Sequence, residues 1–168
     1  MHPATDPPAP ARLREPANRV SPRAPLLWGL NAAGPLVGVL VVLLFGEQAG
    51  WFTLPAWLWP AYALLALGYV LGMPLVRYRV HRWESTASAV YTQTGWLARE
   101  RRIAPMSRVQ TVDFDQSALG RLLGLATVTV TTASAAGPLQ LAALQVDVAL
   151  RLVDELTRRA EADQGDAT

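Results

Sequence analysis

The sequence predicts a membrane hairpin of two α-helices followed by a small antiparallel β domain that a C-terminal helix closes. Three observations carry this reading. Residues 26–45 and 57–76 are two runs without a charged side chain, each long enough to cross a hydrocarbon core about 30 Å thick. Beyond them, short segments with period-2 alternation are separated by turn residues, as in an antiparallel sheet. The last long segment changes to helical periodicity, with charges opposite its apolar positions.

Composition narrows the classes further. Of 168 residues 51% are apolar, and the mean hydropathy is +0.20, so part of the chain belongs in lipid and only one modest globular unit remains. The absence of Cys excludes disulfides, thiolate metal sites and a cysteine nucleophile. All 15 basic residues are Arg, and a net charge of +2 is too small an excess to argue for nucleic acid.

Residues 1–25 are rich in Pro and Ala, carry Arg12, Arg14, Arg19 and Arg23, and have no apolar periodicity, which predicts a disordered tail. The apolar run that follows exceeds the roughly 7–15 residues of a signal h-region, and no small-residue cleavage pattern closes it, so it is expected to stay attached. Asn31 is the one strongly polar side chain of the first span. Trp51, Trp57, Trp59 and Tyr62 crowd the linker and the start of the second span, where an interfacial aromatic belt belongs.

Arginines flank the hairpin on one side only. Four precede the first span, and Arg77, Arg79 and Arg82 follow the second, whereas the linker 46–56 has no basic residue and holds Glu47. The positive-inside rule then places both termini in the cytoplasm of a cell whose plasma membrane the chain crosses twice. Each span also contains a G-x-x-x-G, Gly34 with Gly38 and Gly68 with Gly72, a spacing that lets helix backbones approach closely. Gly34 and Gly68 lie equally far from the cytoplasmic side, so these two glycines are expected at one depth.

Residues 77–84 read as a first strand starting at the lipid surface, 89–92 as a second, Gly95 as a turn and 97–104 as a third strand that Pro105 ends. Gly137 and Pro138 mark a turn before a last strand, 139–144. Val146, Ala149, Leu150, Val153 and Leu156 then share a helix face opposite Asp147, Arg151, Asp154, Glu155, Arg158 and Arg159. A surface-lying membrane helix needs a mostly basic polar face; this one is mixed, so packing on the sheet is expected. Residues from 161 on, and 163–168 above all, read as a frayed end.

The most structured stretch is 107–133. Val112 and Phe114 alternate with Thr111, Asp113 and Asp115, and Ala126, Val128 and Val130 alternate with threonines. Between these strands Ser117 can cap a short helix whose Leu119, Leu122 and Leu123 share a face, and Gly124 is placed to end it in the left-handed conformation.

This stretch resembles the signature of the bacterial pleckstrin-homology (PH) domain of YdbS-like membrane proteins. The matching pieces are Arg108, Val109, Gln110 and Val112, then Arg121, Leu122, Leu123, Gly124, Leu125 and Ala126, then the Thr/Val strand to Thr132. The resemblance covers most of the chain outside the tail. It implies two transmembrane α-helices followed by a PH-like antiparallel β-sheet or barrel domain, here 77–162, with a C-terminal capping helix. It further implies a partner membrane protein carrying copies of the same domain; a homo-oligomer is the other partner expected.

Chemistry is sparsely represented. Of the two histidines, His2 lies in the tail and His81 in a strand beside the membrane, too few for a usual metal site. Asp113 and Asp115 share a strand face and are expected to be solvated. There is no nucleophile elbow, phosphate-cradling glycine loop or zinc-protease helix, and neither span carries an ionisable residue of the kind that marks an ion path. The expected function is therefore a non-enzymatic, cofactor-free binding or scaffold module that contacts the bilayer and clamps a membrane protein at the cytoplasmic face. A headgroup-sensing domain and an accessory subunit acting through its hairpin are the alternatives.

Overall fold

The computed structural model describes residues 15–133 and 137–165. A two-residue strand β1 (Asn18–Arg19) precedes the long helices α1 (Ala24–Gln48) and α2 (Leu58–Val80). Strands β2 (Arg82–Ser85), β3 (Ala89–Gly95) and β4 (Arg99–Pro105) complete an antiparallel sheet in the order β1-β2-β3-β4. After a 3-10 turn, Met106–Arg108, strand β5 (Val109–Asp115), helix α3 (Ala118–Leu123), and strands β6 (Leu125–Thr132) and β7 (Leu139–Gln145) build a second sheet, β5-β6-β7. Helix α4 (Val146–Gly165) packs against that second sheet.

Each long helix contains an 18-residue apolar stretch, of mean hydropathy 2.0 and 1.5 respectively, yet only 6% of each stretch is buried. A core helix of a soluble domain would be covered by protein; these expose Val37, Val41, Leu64 and Leu65, which is the surface a lipid solvent accepts. Their 25 and 23 residues span about 35 Å at 1.5 Å per residue.

The domain core lies between the two sheets and α4. Val90, Val128, Val130, Leu125, Leu141, Leu144 and Leu156 are at most 2% exposed, and burying each such side chain stabilises by about 1.5–3 kcal/mol. The alternation expected of β6 is observed, with Ala126, Val128 and Val130 inward. Helix α4 presents Ala149, Leu152 and Leu156 to the sheet, whereas Leu150, expected on that face, is 50% exposed. Its position lies beyond the edge of the buried stripe that Leu152 completes.

Strand β3 runs on to Gly95 instead of ending at 92, and β4 spans Arg99–Pro105 instead of 97–104, because the turn is made by 96–98 and not by Gly95 alone; three larger boundaries also differ from the sequence reading. First, 77–80 is the last turn of α2 and not the start of a strand; Arg77 and Arg79 suit that turn by facing the negative end of the helix dipole. The strand begins at Arg82. Second, the segment expected to be a disordered tail is structured from residue 15 on, while residues 1–14 lie outside the described residues. Asn18 pairs with Trp83 and Arg19 with Arg82, and Val20, Ser21 and Ala24 are buried. Low apolar content hid this because scattered small contacts, and not a periodic face, hold the segment. Third, α4 continues through Gly165, into the stretch expected to fray; residues 166–168 lie outside the described residues.

Candidate functional site

The hairpin and the domain meet at a compact junction. Helix α2 ends at His81, whose backbone N–H donates to the Arg77 carbonyl at 2.9 Å and whose ring Nδ1 lies 3.0 Å from the same oxygen. Arg77 Nε–H donates to His81 Nε2 at 3.3 Å. Since Nε2 must accept, Nδ1 carries the proton and the ring is the neutral tautomer. Trp28 of α1 covers both groups, its ring 4.9 Å from the His81 ring and 4.4 Å from the Arg77 guanidinium carbon. Burial first, and the Arg77 charge second, push the His81 imidazole down to about 4, against a smaller opposite effect of the Arg77 carbonyl.

Sheet residues lock onto this junction. The buried Gln93 side chain donates to the Val80 carbonyl at 3.0 Å and accepts from Arg101 Nε at 2.8 Å. Glu15 lies 3.8 Å from both Arg82 and Arg101, and the Glu84 carboxylate accepts the Ala17 N–H at 3.0 Å. Ser21 N–H donates to the Ala143 carbonyl at 3.0 Å. Ala143 sits at φ 57 in a bulge of β7, where three β7 steps, Leu144 to Leu141, face two on β6, Ala126 to Val128. The bulge turns that carbonyl toward the segment entering α1.

The signature residues form a corner against the same segment. Ser117 Oγ accepts the Gly120 N–H at 3.0 Å, and Gly124 ends α3 at φ 67, ψ 34, as expected of a left-handed cap. The Leu123 carbonyl accepts from Arg23 at 3.1 Å, and the Gly124 carbonyl accepts the first N–H of α4, from Val146, at 3.2 Å. Val109, Leu125 and Ala126 are buried, and Val112 and Leu123 pack on the core. Gln110 is the extra residue of a β5 bulge and is exposed, as are Arg108 and Arg121. Leu122 does not plug the core: it is 79% exposed, and of the three leucines of this short helix Leu123 is the one packed on the core.

Two further expectations are redrawn. The glycines at 34, 38, 68 and 72 do not meet within the hairpin; a Cβ at any of them would find nothing within 4 Å. The helices instead approach at Gly29, where a Cβ would lie 3.4 Å from the Val70 carbonyl, and through the Tyr62 hydroxyl, which donates to the Leu36 carbonyl. Among the membrane-surface arginines, Arg79 is exposed, while Arg77 and Arg82 are committed to Trp28, His81 and Glu15. Trp28 and Glu15 were not legible as site residues: the first reads as one more apolar side chain of a span, the second as a charge in a tail.

The model of the family described as "Bacterial PH domain" matches residues 26–160. The chain belongs to the bacterial PH domain family. This match begins inside α1, so the bacterial PH domain here is recognised together with its hairpin, in line with the junction that ties the two. The chain is also similar to the UPF0699 transmembrane protein YdbS of Bacillus subtilis (strain 168), at 31% identity over 157 residues, covering 90% of this chain and 98% of that protein. No solved structure matches. The protein is thus a YdbS-like membrane protein carrying a bacterial PH domain.

Proposed function

We propose that this protein is a non-enzymatic scaffold of the bacterial plasma membrane, with both termini and the PH-like domain in the cytoplasm. In this reading it binds a second membrane protein through the outer faces of its hairpin and holds that partner's cytoplasmic part with the domain. The carrying observation is the outward placement of Gly34, Gly38 and Gly68, with open space where a Cβ would point. Small residues turned away from their own hairpin leave a face that another helix backbone can approach. The packed junction at Trp28, Arg77 and His81 supports the same reading, since it ties the domain to the hairpin beside such a face.

Headgroup sensing is less well supported, because several sheet arginines are engaged within the protein. Arg102 donates to the Pro138 and Gly137 carbonyls at 2.8 and 3.0 Å and lies 3.7 Å from Glu100, and Arg101 is held by Gln93 and Glu15. The test is purification of the full chain from native membranes in mild detergent, with Gly38→Leu and Gly68→Leu as variants. The reading expects a stoichiometric membrane-protein partner that both variants lose at unchanged melting temperature. Retention of the partner by both variants would remove the hairpin face from the proposal.

A further inference from the structure

The turn between β3 and β4 has the wrong chemistry for a solvent-facing hairpin. Such turns favour Gly, Pro, Asn, Asp and Ser, and this one, after Gly95, presents Trp96, Leu97 and Ala98. Its shape is fixed: Gly95 sits at φ 126, and a Cβ there would fall 1.8 Å from the Ala98 carbonyl oxygen. The two large side chains are therefore displayed by a defined turn, Trp96 at 44% and Leu97 at 83% exposure.

The register shows where the tip points. Strand β2 leaves the end of α2 with Arg82 opposite Gln93 of β3, so β3 returns toward the hairpin. It then overshoots Arg82 by three residues to Trp96, about 10 Å at strand rise. Trp96 stacks edge-on against Tyr69 of α2 with ring centroids 6.0 Å apart. Tyr69 lies seven residues inside the cytoplasmic end of the charge-free run 57–76, about 10 Å along the helix. The tip is thus laid against the side of a membrane span. Arg99, paired with Gly95 at the base of the tip and exposed, is placed where an arginine reaches headgroup phosphates while its neighbours sit deeper.

We infer that the β3–β4 tip, through Trp96 and Leu97, inserts into the acyl region of the cytoplasmic leaflet beside α2, giving the domain a membrane contact besides the hairpin itself. The occupant of this apolar surface is lipid, because the tip is continuous with the lipid-facing side of the span through Tyr69. The inference rests on α1 and α2 crossing the bilayer, and its test separates the two. Since the chain has no Cys, single cysteines at Leu97, Thr157 and Val41 of the full-length protein can carry an environment-sensitive fluorophore in phosphatidylcholine nanodiscs, with or without brominated acyl chains. Leu97 and Val41 are 83% and 58% exposed, so neither substitution removes core packing. Thr157 is exposed on α4, next but one to Arg159, which reaches Thr86 at the far end of β2.

The label at Leu97→Cys is expected to be blue-shifted, quenched by brominated chains and insensitive to aqueous iodide, and the label at Thr157→Cys to show the reverse. A Leu97 label that behaves like the Thr157 label, with the Val41→Cys label quenched by the bromines, overturns the inserted tip and leaves the hairpin standing. Failure of the Val41 label to be quenched overturns the membrane hairpin and the tip with it.

Discussion

At the residue scale, His81 makes the junction sensitive to pH. Its ring is neutral in the fold and held down to about 4, below the ordinary value near 6.5. The unfolded chain therefore binds the proton first as pH falls, so the contribution of the neutral ring is fully present above about 6.5 and is lost as pH drops through about 4. At most this is on the order of 3 kcal/mol, from about 1.4 kcal/mol per pK unit. Thermal melts in nanodiscs between pH 7 and pH 4 are expected to fall more steeply for the native chain than for His81→Asn. Equal slopes would remove His81 as the titrating group. Gly124→Val is expected to cost about 1–2 kcal/mol or more, since a β-branched residue at φ 67 is strained even though only Arg23 lies near. Leu122→Ala, at 79% exposure, is expected to change stability by no more than about 0.5 kcal/mol.

At the scale of elements, what was legible in the sequence was whatever declares itself by period or by cap. The two spans, β6 with its inward Ala126, Val128 and Val130, and the Ser117 to Gly124 corner were all readable, because alternation and caps are local properties. Long-range devices were not. Asn18 and Arg19 become a strand only because β2 offers its edge, and α2 outlasts its apolar run because Arg77 and Arg79 serve the helix end. The G-x-x-x-G motifs were visible, but their orientation depends on which helix faces pack, which spacing alone leaves open. One consequence concerns the domain boundary. A fragment of residues 77–168 lacks Val20, Ala24 and Trp28, all within the hydrophobic core, and loss of Trp28 alone is worth about 3–5 kcal/mol. Such a fragment is expected to lack a cooperative thermal transition, while a chain beginning at residue 15 keeps it; circular dichroism melts compare the two. A sharp transition in the shorter fragment would show that the entry segment is dispensable.

At the scale of the whole molecule, the hairpin, the segment before it and both sheets form one unit, so the orientation of the spans decides which compartment the domain serves. The scaffold proposal requires a cytoplasmic domain, which is what the positive-inside rule expects from the flanking arginines and the basic-free linker. Thr53 in the linker and Thr157 on α4 are both exposed, whereas Ser21, buried beneath β7, is unsuitable as a reporter. The most direct measurement is labelling of single cysteines at Thr53 and Thr157 by a membrane-impermeant thiol reagent in intact cells. The account predicts reaction at Thr53→Cys without permeabilisation and at Thr157→Cys only after it; reaction at Thr157→Cys in sealed cells would contradict it.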